Sequence, residues 1–204
     1  MAPPVAFCRL AVAGSVFDDA VGREWCAVPY STSEKVPSLT VTSKSFQAGD
    51  RLAPEHGSPA FGMPGGQDLS PQLSWGPLPE GTKSVAITMF DPDAPTPSGF
   101  WHWGLADLPG DTTELPAGAG SGDDVLPGNA FHVRNEVGGN KFVGFGPPAG
   151  TGRHRYVFAV HALDVESMRD LGASPETTLA VLHFLMRGHT LARGTIEGWA
   201  SVDE

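Results

Sequence analysis

Asp91 and Asp93 stand two residues apart in Asp91-Pro92-Asp93, His102 lies between Trp101 and Trp103, and His154 precedes Tyr156 by the same spacing of two. Two carboxylates held close repel when both are ionised, so one of such a pair is expected to keep a proton. Imidazoles change charge near neutral pH, and a phenol offers an O–H donor. The segment Gly144-Phe145-Gly146-Pro147-Pro148 can bring backbone N–H groups close to a ligand, because glycine adds no side-chain bulk. Together these groups suit two chemistries: holding a small anion by a few local donors, or moving protons on a bound metabolite as a general acid–base set.

Taken one at a time, each feature has a plainer meaning. Asp-Pro-Asp is common turn chemistry, a histidine between two tryptophans is ordinary in a sheet, and Gly-Pro-Pro is ordinary in a hairpin loop. The elements that position them must therefore bring them together. Val85 to Phe90 reads as a strand closed by Asp91-Pro92, and Phe100 to Leu108 as another. In the second, strict alternation places Trp101, Trp103 and Leu105 on one face, with His102, Gly104 and Ala106 on the other. By the same alternation Asp91 and Asp93 point to one side. Tyr156 to Leu163 is a strong strand, with Tyr156, Phe158, Val160 and Ala162 on one face. His154 and Tyr156 then share a face, and Arg153 and Arg155 are expected in solvent.

Elsewhere the chain predicts short strands in Ser38–Phe46, Phe131–Val137 and Phe142–Val143, and an extended piece at Ser70–Trp75. Gln47 to Asp68 is loop-like. A helix is expected from Ser174-Pro175-Glu176, with Leu179, Leu182, Leu185 or Met186, and His189 at helical spacing and Gly188 at its exit. Thr190 to Trp199 is a last extended segment. Residues 1–36 show no sustained period beyond a short helix at Phe17–Trp25, so they form an extension, expected to be poorly ordered, ahead of one domain spanning 37–204.

Composition narrows the function classes. The 204 residues include 26 Gly and 19 Pro, with 18% charged residues, which favours a β-rich fold over a helical bundle. A formal charge of −10 disfavours broad nucleic-acid or anionic-membrane binding by a basic face. No run approaches the ~20 apolar residues of a membrane helix, and the first residues lack the basic region of a signal peptide. Cys8 and Cys26, the two cysteines, suggest reduced thiols in a cytoplasm rather than a disulfide framework.

The order DPDAP (91–95), WHW (101–103), then GPP (146–148) followed by HRY (154–156), resembles the phosphatidylethanolamine-binding, or Raf-kinase-inhibitor-like, family. DLSPQLSW at 68–75 and GHTLA at 188–192 are similar to its bacterial branch. The resemblance covers Val36 to Trp199. It implies a mainly β fold, an antiparallel β-sandwich-like domain with short helices and a C-terminal helix. It implies a pocket for phosphate, phosphoethanolamine or a similar anion lined by Asp91, Asp93, Pro95, Phe100 or Trp101, His102, Gly146, Pro147, Pro148, His154 and Tyr156. It implies no cofactor and no structural metal, although His102, His154 and a carboxylate are residue types that ligate one. Glu55 to Asp68 departs from the pattern as a Gly/Pro-rich insertion able to lid the pocket. If the chain is instead an enzyme, Asp91, Asp93, His102 and His154 are its catalytic set. No G-x-S-x-G elbow supplies a nucleophile. A homodimer is plausible for the branch, protein partners are unknown, and kinase regulation does not carry over.

Overall fold

A computed structural model describes residues 30–31 and 33–202. The expected helix at Phe17–Trp25 and both cysteines lie outside the described residues. Eight strands and one helix follow in the order β1 (Thr40–Thr42), β2 (Leu73–Gly76), β3 (Ser84–Asp91), β4 (Phe100–Pro109), β5 (Glu114–Leu115), β6 (Phe131–His132), β7 (His154–Leu163), α1 (Leu179–Met186) and β8 (Thr190–Ala200). They form a three-stranded sheet, β1-β2-β5, and a five-stranded sheet, β6-β4-β3-β7-β8, with every strand pairing antiparallel. The fold is the mainly β sandwich with a short C-terminal helix that the sequence predicts.

The large sheet is covered on both faces, which explains its nearly unbroken apolar strands. Its sandwich face meets the small sheet through Val41, Leu73 and Trp75 against Ile87, Met89, Trp103, Leu105 and Phe158. Its other face carries small residues, Ala86 and Ala106, beneath Leu179, Leu182 and Met186 of α1. Alternating large and small side chains along β3 let a helix lie close on one face while rings fill the other. Fully buried side chains such as Phe158 and Ile87 each contribute about 1.5–3 kcal/mol relative to exposure.

Strand β4 is not regular. Met89 pairs with Trp103 and Phe90 with Trp101, so His102 is an extra residue opposite none. A second irregularity, between the partners of Val85 and Ile87, accompanies Asp107, whose φ is +63°. The first bulge overturns the alternation expected from sequence. Trp101 packs on the helix side, with ring centroids 4.3 Å from Phe90 and 4.6 Å from His183, while Trp103 stays in the sandwich core. His102 joins the Trp103 side, 5.3 Å from the ring of Tyr156.

Three other expectations are corrected. Helix α1 begins at Leu179 with Thr178 as its cap, because Ser174-Pro175-Glu176 closes a turn instead: Thr177 Oγ1 accepts the Ser174 amide at 2.9 Å, and the Thr177 amide donates to the Ser174 carbonyl at 2.9 Å. His189 lies beyond the helix, after Gly188 at φ +81°, and its Nδ1 meets Asp164 at 2.9 Å. The strand at Phe131 stops at His132, and Phe142–Val143 form no strand, their amides donating instead to the Gly120 and His102 carbonyls. Thr190 to Ala200, by contrast, is a full 11-residue strand.

Candidate functional site

The site forms where the end of β3, the bulge of β4, the start of β7 and the loop at 143–148 meet. Asp91 ends β3, and its Oδ2 accepts a hydrogen bond from Nδ1 of His154 at 2.8 Å. Its other oxygen accepts the backbone amide of Asp93 at 2.8 Å, an Asx turn that starts the proline-rich bend. His154 opens β7, and its Nε2 lies 2.8 Å from Thr151 Oγ1. That hydroxyl donates to the Pro148 carbonyl at 2.6 Å, so its oxygen is the acceptor toward the ring. Both His154 nitrogens are thus engaged, and the imidazole bridges Asp91 and the Gly-Pro-Pro loop.

Asp93 does not share a side with Asp91. Its Oδ2 accepts the Arg155 amide at 2.9 Å and Nε at 2.8 Å, and its Oδ1 accepts Nη2 at 2.8 Å. Arg155, expected in solvent, is 21% exposed and forms this fork with a carboxylate 6% exposed. Burial alone would lower the guanidinium's pKa, but Asp93 outweighs it and the net shift is upward. The two carboxylates are therefore not a mutually repelling pair: each is engaged by its own donor.

His102 is fixed differently. Nδ1–H donates to the carbonyls of Val143 and Gly144, each at 3.1 Å, which leaves Nε2 as a lone pair with no hydrogen bond among the described residues. Burial lowers its pKa, although Asp91 and the two carbonyls push the other way. The imidazole is neutral at neutral pH.

Tyr156 is the deepest member, with no exposed surface. Its hydroxyl is sealed and completes no hydrogen bond of good geometry, although the Asp91 carboxylate and the Gly146 backbone bear on it. Burial first, then Asp91, drive its pKa far above the ordinary phenol value, so it stays an O–H donor at any accessible pH.

The rim completes the arrangement. Phe100 lies 4.9 Å from His102 by ring centroids; Gly146 is half-buried, Pro147 buried, and Pro148 and Pro95 exposed. Trp101 faces the helix, its ring against Phe90 and His183. Sequence reasoning missed the roles of Thr151, Arg155 and Phe61, and the tight packing of Gly144. Thr151 seats His154, and Arg155 holds Asp93. Gly144 lies so close to the His56 and Gly57 backbone that a Cβ would collide with both. Phe61, from the segment expected as a lid, stands edge-on to Phe100 at 6.1 Å and to His102 at 6.4 Å. Phe61 had a signal as an apolar ring inside a Gly/Pro-rich loop, and Gly144 as part of the Gly-Pro-Pro segment; Thr151 had none.

Residues 42–200 match the sequence profile described as phosphatidylethanolamine-binding protein. The chain belongs to the phosphatidylethanolamine-binding protein family. YbhB of Escherichia coli K12 is 41% identical over 159 residues, covering 78% of this chain and 97% of YbhB. YbcL of the same organism is 38% identical over 165 residues, covering 80% and 88%. The crystal structure of YbcL superposes with a TM-score of 0.76 at 36% identity, covering 81% of this chain and 99% of that one. The phosphatidylethanolamine-binding fold seen here is thus that of the bacterial YbhB/YbcL branch. Among the described residues, no helix is long and apolar enough to cross a membrane.

Proposed function

We propose that the pocket binds a small oxyanion, of phosphate or carboxylate type, such as a phosphoethanolamine-like head group or a free metabolite. The observation that carries this reading is the convergence of two groups: the buried Tyr156 hydroxyl, beside Asp91 and Gly146, and the His102 ring, 5.3 Å from that of Tyr156, whose Nε2 makes no hydrogen bond among the described residues. One ligand oxygen would accept from the Tyr156 hydroxyl. A second oxygen meeting His102 must bring a proton, or the imidazole must take one up, because the free ring is neutral. Binding is therefore linked to proton uptake, and affinity rises as pH falls toward and below ~6.5.

Calorimetric titration with inorganic phosphate between pH 8 and pH 5.5 tests this. Tightening by up to about tenfold per pH unit is expected over the window between the free and bound pKa of His102. Tyr156→Phe removes the donor and its burial cost together, so the variant is expected to keep its melting temperature and lose about 1.5–3 kcal/mol of phosphate binding. Unchanged affinity in that variant, or no binding of phosphate at millimolar concentration near pH 6, would overturn the reading.

The unprotonated Nε2 of His102 also favours a second reading, an acid–base enzyme in which His102 removes a proton from a bound metabolite. Its signature is solvent deuterium entering the metabolite at a rate abolished by His102→Gln. Binding without exchange would dismiss it.

A further inference from the structure

Resting on the anion-binding reading, the structure also points to what limits the ligand's size. Asp91 is 3% exposed, His102 3%, His154 1% and Tyr156 0%, so the site is closed almost completely. The group that stands above it is Phe61. Its ring is edge-on to both Phe100 and His102. It also lies against Gly146 so tightly that a Cβ there would run into the Phe61 side chain. Gly146 is thus a place where bulk is missing to let the ring down onto the loop bearing the site.

The segment that carries Phe61 has a hydrogen-bonded base, and Phe61 itself ends a short 3-10 turn, its N–H donating to the Ser58 carbonyl at 3.2 Å and that of Gly62 to the Pro59 carbonyl at 3.0 Å. Its base closes on itself, the Gln67 and Leu69 amides donating to the Glu55 carbonyl and the Asp68 amide to that of Gly57. It is stitched to the site loop as well: Ser58 N–H donates to the Phe145 carbonyl at 2.9 Å, Phe145 N–H to His56 at 3.1 Å, and Gly144 N–H to Asp68 Oδ1 at 2.7 Å. At the tip, Gly62 follows Phe61 at φ +74° and a Cβ there would meet nothing within 4 Å. None of these hydrogen bonds involves the Phe61 side chain, which is held by packing against Gly146, Phe100 and His102. Rotating it away therefore breaks no hydrogen bond of the base and leaves the pocket floor intact. Such rotations of partly exposed side chains are fast compared with loop opening.

We propose that Phe61 is the gate of this pocket and its specificity-determining residue. With the ring down, the pocket accommodates an unsubstituted tetrahedral oxyanion. A phosphate ester, whose organic substituent must leave through the space the ring occupies, enters only when the ring is displaced.

The experiment compares inorganic phosphate with O-phosphoethanolamine by calorimetry at pH 6, on the wild-type chain, Phe61→Val and Phe61→Ala, with melting temperatures measured alongside. The wild type is expected to prefer phosphate by about tenfold or more, the range over which a pocket discriminates by bulk alone. The preference should shrink in Phe61→Val and vanish in Phe61→Ala through tighter binding of the ester, while phosphate affinity moves by less than about threefold. Phosphate bound with the same preference in all three proteins overturns the gate and leaves the anion reading standing. So does a wild type that takes both ligands equally. Neither ligand binding to any of the three removes the anion reading, and the gate with it. The graded valine variant keeps the test decisive should alanine unfold the tip.

Discussion

Replacing Asp93 by alanine separates two roles that the sequence could not. The carboxylate accepts three donors of Arg155, at 2.8 to 2.9 Å, and is 6% exposed, so the fork is largely desolvated. Breaking a buried pair by removing one partner costs about 3–5 kcal/mol, because the other charge is left without its partner. Arg155 is 21% exposed and water can partly take over its solvation. The figure is accordingly discounted to about 2–4 kcal/mol for Asp93→Ala. For a domain of this size that is about 6–12 °C in melting temperature. Calorimetric melting of Asp93→Ala, Arg155→Met and the double variant should show a coupling of about 2 kcal/mol, with the double variant barely worse than either single. Phosphate affinity at a temperature well below the melt should fall only moderately, through a looser bend. A melting temperature within about one degree of wild type, with phosphate binding abolished, would refute the reasoning and make Asp93 a ligand-contacting group.

Two further outcomes concern the frame around the site. Gly144→Ala places a methyl group against the His56 and Gly57 backbone, which cannot yield as a side-chain tip would. A loss of about 3 kcal/mol by denaturant titration is expected, with phosphate binding lost under native conditions. Acid should weaken the helix side of the sheet. Burial holds His183 down at about 4 and His161 well below its ordinary value, with Arg193 adding repulsion to both. Both rings stay neutral in the fold but take up protons in the unfolded chain, so stability is intact above ~6.5 and falls as pH drops from there toward 4. The His183 share is on the order of 3 kcal/mol, and His183→Gln should flatten that part of the melting-temperature profile between pH 6.5 and 4.5.

The strands around the site were legible because their apolar runs are long and end at strong punctuation, Asp91-Pro92 for β3 and Gly-Pro-Pro before β7. The convergence of Asp91, His102, His154 and Tyr156 was legible only through the combined motif. No single spacing showed that residues 63 positions apart would touch. What stayed hidden has a common cause. The bulge at His102, the fork between Asp93 and Arg155, and the seat of His154 on Thr151 are each decided by hydrogen bonds to a distant segment. Period-two reasoning assumes that no residue is extra, so one unpaired residue exchanged the sides of Trp101 and His102. It also sends every second charged residue to water, whereas Arg155 found a carboxylate across the bend. The helix start failed for a local reason: Thr177 and Thr178 compete with Ser174 as caps, and packing of Leu179 on Gly104 favours the later one.

The irregularity in β4 also bears on how other chains of this branch are aligned. Regular pairing across Phe100–Gly104 would require one residue fewer, and shortening the strand there would turn the imidazole toward α1 and offer an indole to the cavity. Matching letters in that stretch is thus weaker grounds for transferring the site than matching length: a chain with both tryptophans but a one-residue gap would have the motif and lack the cavity's proton acceptor.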